Sequence, residues 1–244
     1  MKEFGLIGHP VAQSRSAAYF SEKFRNEGLA DHSYELYDLP SIEALPGLLR
    51  DHPHLRGFNV TIPYKRDVMR YLDDLSDEAR QIGAVNCVRR EADGRMVGFN
   101  TDVIGLRVSL RRFLETIPER ALILGTGGAS QAVQFALAEL GIAFDLVSRD
   151  PARGNYTYDN LPGEAVAAAK LIVNATPLGS FPNVEEAPQI PYACVSPDHY
   201  LFDLVYNPPL TAFLDYGRQR GARICNGKEM WLEQAEAGWA IWNG

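Results

Sequence analysis

The sequence predicts an α/β protein of two domains: an N-terminal α/β substrate domain with a mixed sheet, and a Rossmann-like, doubly wound parallel-sheet dinucleotide domain, with a cleft between them. Three observations predict it. Apolar strand-like runs alternate with amphipathic helical stretches along the whole chain, the pattern of a doubly wound sheet. A glycine-rich turn, GTGGAS at 125–130, joins a strand to a helix in the second half. An Asp-Gly pair at 93–94 sits between two runs of strand formers in the first half, which reads as a hairpin and makes that sheet mixed.

In the second half, 121–124 is a short apolar run, and Ala132, Val133, Phe135, Ala136, Leu137 and Leu140 recur at helical spacing. Gly141 suits the helix end. Strands follow at 143–147, within 169–179 and within 200–209. In the first half, strands are expected at 4–8, 32–39 and within 55–63, with helices over 14–28, 41–50 and 65–81. Segments 84–91 and 95–102 form the hairpin, and 103–116 is a helix leading across to the glycine-turn domain. The last segment, 228–242, is amphipathic and is expected to pack back on the first domain. The domains are then 1–102 plus 229–244, discontinuous, for substrate and 103–228 for the dinucleotide.

Composition narrows the function. A formal charge of −7 over 244 residues disfavours nucleic acid and anionic membrane surfaces as partners. No apolar run approaches the roughly 20 residues of a membrane helix, and the N-terminus reads as a first strand, not a signal peptide. Three scattered cysteines, Cys87, Cys194 and Cys225, show no metal-ligand spacing and suit a reducing cytoplasm.

Gly125, Thr126, Gly127, Gly128, Ala129 and Ser130 make a dinucleotide turn. The first glycine allows the turn, the second admits the pyrophosphate, and the helix N-terminus faces the phosphates. Ser130 stands where glycine or alanine is usual. The next strand ends in Ser148-Arg149-Asp150 with Arg153 beyond. A small polar residue followed by arginines favours NADP, whose 2′-phosphate they would hold, over NAD. Asp150 leaves NAD possible, and a solvated surface pair is the plain alternative for the arginines.

Polar residues also gather at strand ends in the first half. Ser14 and Ser16 offer two hydroxyls at a strand-to-helix junction, for a carboxylate or for N-capping. Asn59 and Thr61 share a strand face. Lys65 follows Pro63 at an expected helix start, either as an acid–base group or as a solvated lysine. Asn86, Asn100 and Asp102 come from the hairpin arms, for ligand binding or for turn and capping duty. Strand ends of this kind line the crevice of an open α/β sheet.

The segments GHPVAQSRS, GFNVTIPYK, GAVNCV, GFNTD, LGTGGAS, NATPLG, DLVYNPPLT and GKEMWLEQA, in that order, resemble the motif series of shikimate dehydrogenases from Gly5 to Gly244. The resemblance implies NADP-dependent reduction of 3-dehydroshikimate to shikimate on the way to chorismate and the aromatic amino acids. It implies that Lys65 and Asp102 are catalytic. Ser14, Ser16, Asn59, Thr61, Asn86, Tyr206 and Gln234 would bind substrate. Gly125 to Ser130, Ser148, Arg149, Arg153, Thr176, Leu204 and Gly227 would bind cofactor. No metal is implied, and the protein would be a monomer or homodimer. The chain departs from the family pattern at Ser148 and Asp150, at Cys87, and over 151–168, which is short and reads as loop. A quinate dehydrogenase using NAD, a regulatory dinucleotide-binding protein without turnover and a folate-type dehydrogenase are the rival readings; the last leaves the S-x-S and GFNTD motifs unexplained.

Overall fold

The computed structural model describes residues 2–244. The chain divides into two compact units, one running to Thr101 and including Ala235–Gly244, the other spanning Asp102–Gln234.

The first unit is built on a mixed six-stranded sheet. Its strands are β1 (Lys2–Gly8), β2 (His32–Asp38), β3 (Leu55–Val60), β4 (Asp74–Leu75), β5 (Cys87–Arg90) and β6 (Met96–Phe99), in the order β2-β1-β3-β5-β6-β4. β1 runs parallel to both β2 and β3. β5 is antiparallel to β3 and to β6. The β5–β6 turn is the expected hairpin, with Gly94 at φ +93°, a conformation that Cβ-bearing residues avoid. Helices α1 (Ser16–Asn26), α2 (Leu45–Asp51) and α3 (Asp77–Ile82) complete the unit.

The long helix expected over 65–81 is not formed. A 3₁₀ turn at Asp67–Tyr71, β4 and α3 take its place. Three competing bonds explain the break: Asp73 N–H donates to Met96 O at 2.9 Å, Asp74 and Leu75 pair with β6, and Ser76 caps α3 by accepting from Ala79 N–H at 3.2 Å.

One face of this sheet carries Ile7, Leu45, Leu55, Phe58 and Val68. The other carries an aromatic cluster in which Trp242 stacks on Phe4 at 5.0 Å between centroids and Phe20 on Tyr34 at 4.5 Å. Trp242 Nε1 donates to Val88 O at 3.0 Å. Its ring lies where a Cβ on Gly57 would stand, 2.3 Å away, so the strand needs glycine there.

The second unit is an all-parallel sheet. It comprises β7 (Arg120–Leu124), β8 (Ala143–Ser148), β9 (Tyr156–Thr157), β10 (Leu171–Asn174), β11 (Tyr200–Asp203) and β12 (Arg223–Cys225). The order is β12-β11-β10-β7-β8-β9, and every pairing is parallel. Taken in chain order this is the doubly wound dinucleotide-binding arrangement, with the switch point between β7 and β10. The helices are α4 (Asp102–Phe113), α5 (Gly128–Glu139), α6 (Gly163–Ala168) and α7 (Ala212–Gln219).

The 151–168 segment is not wholly loop, since it contains β9 and the six residues of α6. Asn155 builds this edge locally: its N–H donates to Leu146 O at 2.8 Å, and its Oδ1 accepts from Leu146 N–H at 2.8 Å. Two elements, α7 and β12, were not anticipated. The local signal for α7 is Thr211, which caps it by accepting from Leu214 N–H at 3.3 Å.

The last helix, α8 (Lys228–Asn243), contains the second boundary, between Gln234 and Ala235, where the sequence placed it at 229. The reason is its packing. A Cβ on Gly105 of α4 would lie 2.3 Å from Met230 O and 3.1 Å from Gln234 N, so the first turns of α8 close on α4. Ala235 and Trp242 belong to the aromatic core of the first unit. No helix among the described residues is long and apolar enough to cross a membrane.

Candidate functional site

The first unit gathers several of the sequence-predicted substrate residues into two hydrogen-bonded groups. Ser16 heads α1. Its N–H donates to Ser14 Oγ at 3.2 Å, and the two hydroxyls are 3.2 Å apart. Ser14 N–H donates to Val11 O at 2.9 Å, which turns the loop after β1 back on itself. Burial pushes the Tyr34 phenol's pKa well up, and the Ser16 side chain opposes part of that rise.

Tyr34 OH donates to Asn59 Oδ1 at 2.8 Å, and Asn59 Nδ2 donates to Asn86 O at 3.2 Å. The Asn86 carboxamide holds Thr101: Nδ2 donates to Thr101 Oγ1 at 3.0 Å, and Oδ1 accepts Thr101 N–H at 2.6 Å. Asn59, Asn86 and Thr101 are all buried. Asn59 therefore braces β2, β3 and β5. Tyr34 and Thr101, which link the predicted residues, were missed by the sequence reading. Only their alternation with apolar neighbours could have flagged them.

Thr61 and Lys65 lie in the loop after β3. Thr61 N–H donates to Ile7 O at 2.9 Å, Tyr64 N–H to Thr61 O at 3.0 Å, and Lys65 O accepts Val85 N–H at 2.7 Å. Lys65 is thus held by its backbone in a turn ahead of the 3₁₀ segment. It does not start a long helix, as the sequence suggested. Asn100 Nδ2 donates to Ala84 O at 3.0 Å, which is turn duty.

In the second unit, Asp102 is the first residue of α4, where a carboxylate complements the helix dipole. Gly125 takes φ +102°, and a Cβ there would lie 2.8 Å from Thr176 Cγ2. Gly127 caps α5, and a Cβ on it would meet nothing within 4 Å. Ser130 is buried, with its Oγ accepting from Gln134 Nε2 at 3.2 Å. It packs into the unit rather than toward a ligand, as the third position of the turn should. Gly128 and Ala129 form the first turn of α5.

A depression of about 640 Å³ opens at the carboxyl ends of these strands. Gly125, Thr126 and Gly127 line one part, Ser148, Arg149, Asp150 and Arg153 another, and Thr176 a third. Thr126 and Ser148 bring their hydroxyls to 3.3 Å, and Arg153 donates to Thr126 O at 2.6 Å. Asp150, which also lines the depression, has its Oδ1 accepting from Ala152 N–H at 2.9 Å. Tyr158, which the sequence did not single out, also lines the depression.

Beneath it lies a buried carboxylate. Asp203 accepts from Asn174 Nδ2 at 2.9 Å, Val205 N–H at 3.0 Å and Thr211 Oγ1 at 2.6 Å. Asn174 Oδ1 in turn accepts from Thr176 N–H at 3.0 Å and from Thr176 Oγ1 at 2.6 Å. Burial pushes Asp203 up to about 7 against three donors that favour its ionised form. The sign of the pH effect follows. Between about pH 4 and 7 the unfolded chain releases this proton while the folded chain keeps it, so stability from this group falls as pH rises. The melting-temperature advantage of the wild type over Asp203→Asn is expected to shrink from pH 4.5 to pH 7.5. A constant or widening gap would remove Asp203 as the cause.

Leu204 N–H donates to Asn174 O at 3.0 Å. Gly227 lies against Leu204: a Cβ on Gly227 would be 2.1 Å from Leu204 O. Tyr206 stacks on Trp231 at 5.3 Å, and Gln234 Nε2 donates to Trp231 O at 2.9 Å. Among the described residues no group of three or more His, Cys, Asp or Glu could hold a metal ion.

A family model for the shikimate dehydrogenase substrate binding domain matches residues 6–88. A shikimate dehydrogenase (NADP(+)) from one strain of Thermus thermophilus is 37% identical over 250 residues, covering 100% of this chain and 93% of the relative. The structure of shikimate 5-dehydrogenase from another strain of Thermus thermophilus, in complex with NADP(H) and shikimate, is similar at a TM-score of 0.88. It shares 36% identity, with 100% of this chain and 94% of that one covered. Quinate dehydrogenase from Corynebacterium glutamicum, in complex with NAD, is similar at a TM-score of 0.89. It shares 28% identity, with 100% and 94% covered.

Proposed function

The chain belongs to the shikimate dehydrogenase family, and from that premise we propose that it catalyses the reversible, NADP-dependent reduction of 3-dehydroshikimate to shikimate. The observation that carries the reading is the depression beyond β7, β8 and β10, with a glycine cradle at one side and Arg149 and Arg153 at the other. The cradle fits a pyrophosphate. Gly127 leaves open the space a Cβ would fill, and the α5 N-terminus offers unpaired N–H groups to an anion.

When bound, the nicotinamide cofactor supplies the hydride. The chain's own groups do the rest. Lys65 Nζ donates the proton to the carbonyl oxygen as negative charge develops there. Asp102 holds that ammonium and a ring hydroxyl. Ser14 and Ser16 take the ring carboxylate with their hydroxyls, while Thr61, Asn86, Tyr206 and Gln234 take the remaining polar groups. Asn59 acts at one remove, by fixing Tyr34 and Asn86. Arg149, Arg153 and Ser148 hold the 2′-phosphate; Leu204, Thr176 and Gly227 shape the nicotinamide side.

The reading takes the protein as a cytoplasmic monomer or homodimer. Three free cysteines support a reducing compartment.

Steady-state assays with shikimate and quinate against NADP and NAD test the reading. The expected outcome is highest kcat/KM for shikimate with NADP. A clear preference for quinate with NAD would overturn it in favour of a quinate dehydrogenase. Binding of NADPH with no reduction of dehydroshikimate would mark a regulatory protein.

A further inference from the structure

The short segment after β8 places a tyrosine where the cofactor's adenosine end is expected. β9 pairs in parallel with β8, with Val147 opposite Tyr156 and Ser148 opposite Thr157. Both strands point the same way, so Tyr158 leaves β9 level with Arg149 leaving β8. Ligands of such sheets bind beyond the strands' carboxyl ends, and Tyr158 is part of the wall of the depression that Ser148, Arg149 and Arg153 also line.

Local bonds hold the segment in this position. Besides the Asn155 pair on Leu146, Thr157 N–H donates to Asn160 Oδ1 at 2.7 Å. Gly154 is enclosed, since a Cβ there would lie 2.9 Å from Leu146 O and 3.0 Å from Ser148 Cβ.

The Tyr158 hydroxyl is shielded from solvent and has no hydrogen-bond partner. A buried polar group left unpaired is costly and marks a place where a partner is to be supplied. The nearest charged influence on it is cationic: burial raises the phenol's pKa, and the Arg149 charge opposes that rise. A donor without an acceptor beside an arginine suits an oxyanion.

The geometry points to Tyr158 as a further cofactor-binding residue, whose hydroxyl, brought out of its shielded position by rotation of the side chain, donates to the 2′-phosphate of NADP and helps select it over NAD. This rests on the NADP-dependent reading above. A phenol from β9 would add a donor to a site that Ser148, Arg149 and Arg153 also line.

The test is Tyr158→Phe in the full chain, with 2′,5′-ADP and AMP as calorimetric probes that differ only in the 2′-phosphate. Arg149→Ala serves as a phosphate-site control. In Tyr158→Phe, 2′,5′-ADP is expected to bind roughly 10- to 100-fold more weakly, the range for a hydrogen bond to a charged group, with AMP affinity held. The melting temperature of the ligand-free variant should equal or exceed the wild type's, because an unsatisfied hydroxyl is gone. Unchanged 2′,5′-ADP affinity, or an equal loss for AMP, overturns the proposal. If the wild type discriminates the two probes and Tyr158→Phe discriminates to the same degree, only Tyr158 is excluded. If the wild type does not discriminate, the NADP reading falls with it.

Discussion

Lys65→Ala is expected to lower kcat by at least about 100-fold, the usual contribution of a positioned acid–base group, while KM for the ring acid changes far less. The backbone makes this a clean experiment. Lys65 contributes its carbonyl to Val85 N–H, and its neighbour Tyr64 anchors the turn by donating from its hydroxyl to Leu39 O at 2.5 Å. None of these bonds uses the lysine side chain, so the turn they close should survive the substitution, and thermal unfolding of the variant checks it. A variant that folds normally and turns over at near-normal rate would remove Lys65 from the chemistry. A matched fall in kcat and melting temperature would instead mean that the side chain holds the turn.

Gly227→Ala is expected to be the most damaging single substitution near the cofactor side. The added Cβ would lie 2.1 Å from Leu204 O and 2.7 Å from Leu204 C. These are backbone atoms at the end of β11, and they cannot swing aside as a side chain would. Gly227 N–H also donates to Val205 O at 3.2 Å, and Gly227 O accepts Trp231 N–H at 2.9 Å. The start of α8 must therefore move as a piece. Overpacking of this kind costs roughly 1–3 kcal/mol or more, or about 2–12 °C in melting temperature for a chain of this size. NADPH affinity should fall with it. Thermal unfolding and cofactor titration on the same preparation check both effects, and a variant unchanged in both would show that the contact relaxes freely.

Most of the fold was legible because its signals are local. The strand–glycine turn–helix run from Ala121 to Leu140 and the Asp-Gly hairpin each announce themselves within a dozen residues. The helix expected over 65–81 does not form because a cap, Ser76, and an edge pairing with β6 that only the folded sheet supplies outweigh its apolar spacing. The 151–168 segment looked like loop because Asn155 acts through its side chain as a strand partner to Leu146, which no propensity records.

The candidate site divides the same way. By itself the sequence determined residue chemistry and chain order: two serines before α1, a lysine after β3, an aspartate opening α4, a glycine turn, and arginines after β8. These are properties of short segments. Tertiary structure decided which of them meet. It spent Asn59 on bracing Tyr34 and Asn86, and set Tyr158 beside Arg149. Both outcomes depend on pairing between strands. Lys65 sits in a turn and not at the start of the expected helix; its carbonyl is held by Val85, 20 residues along the chain, and the residue before Asp102 is held by Asn86. Hydrogen bonds that close such loops exist only once the sheet has formed, and for that reason no reading of the chain in order could assign them.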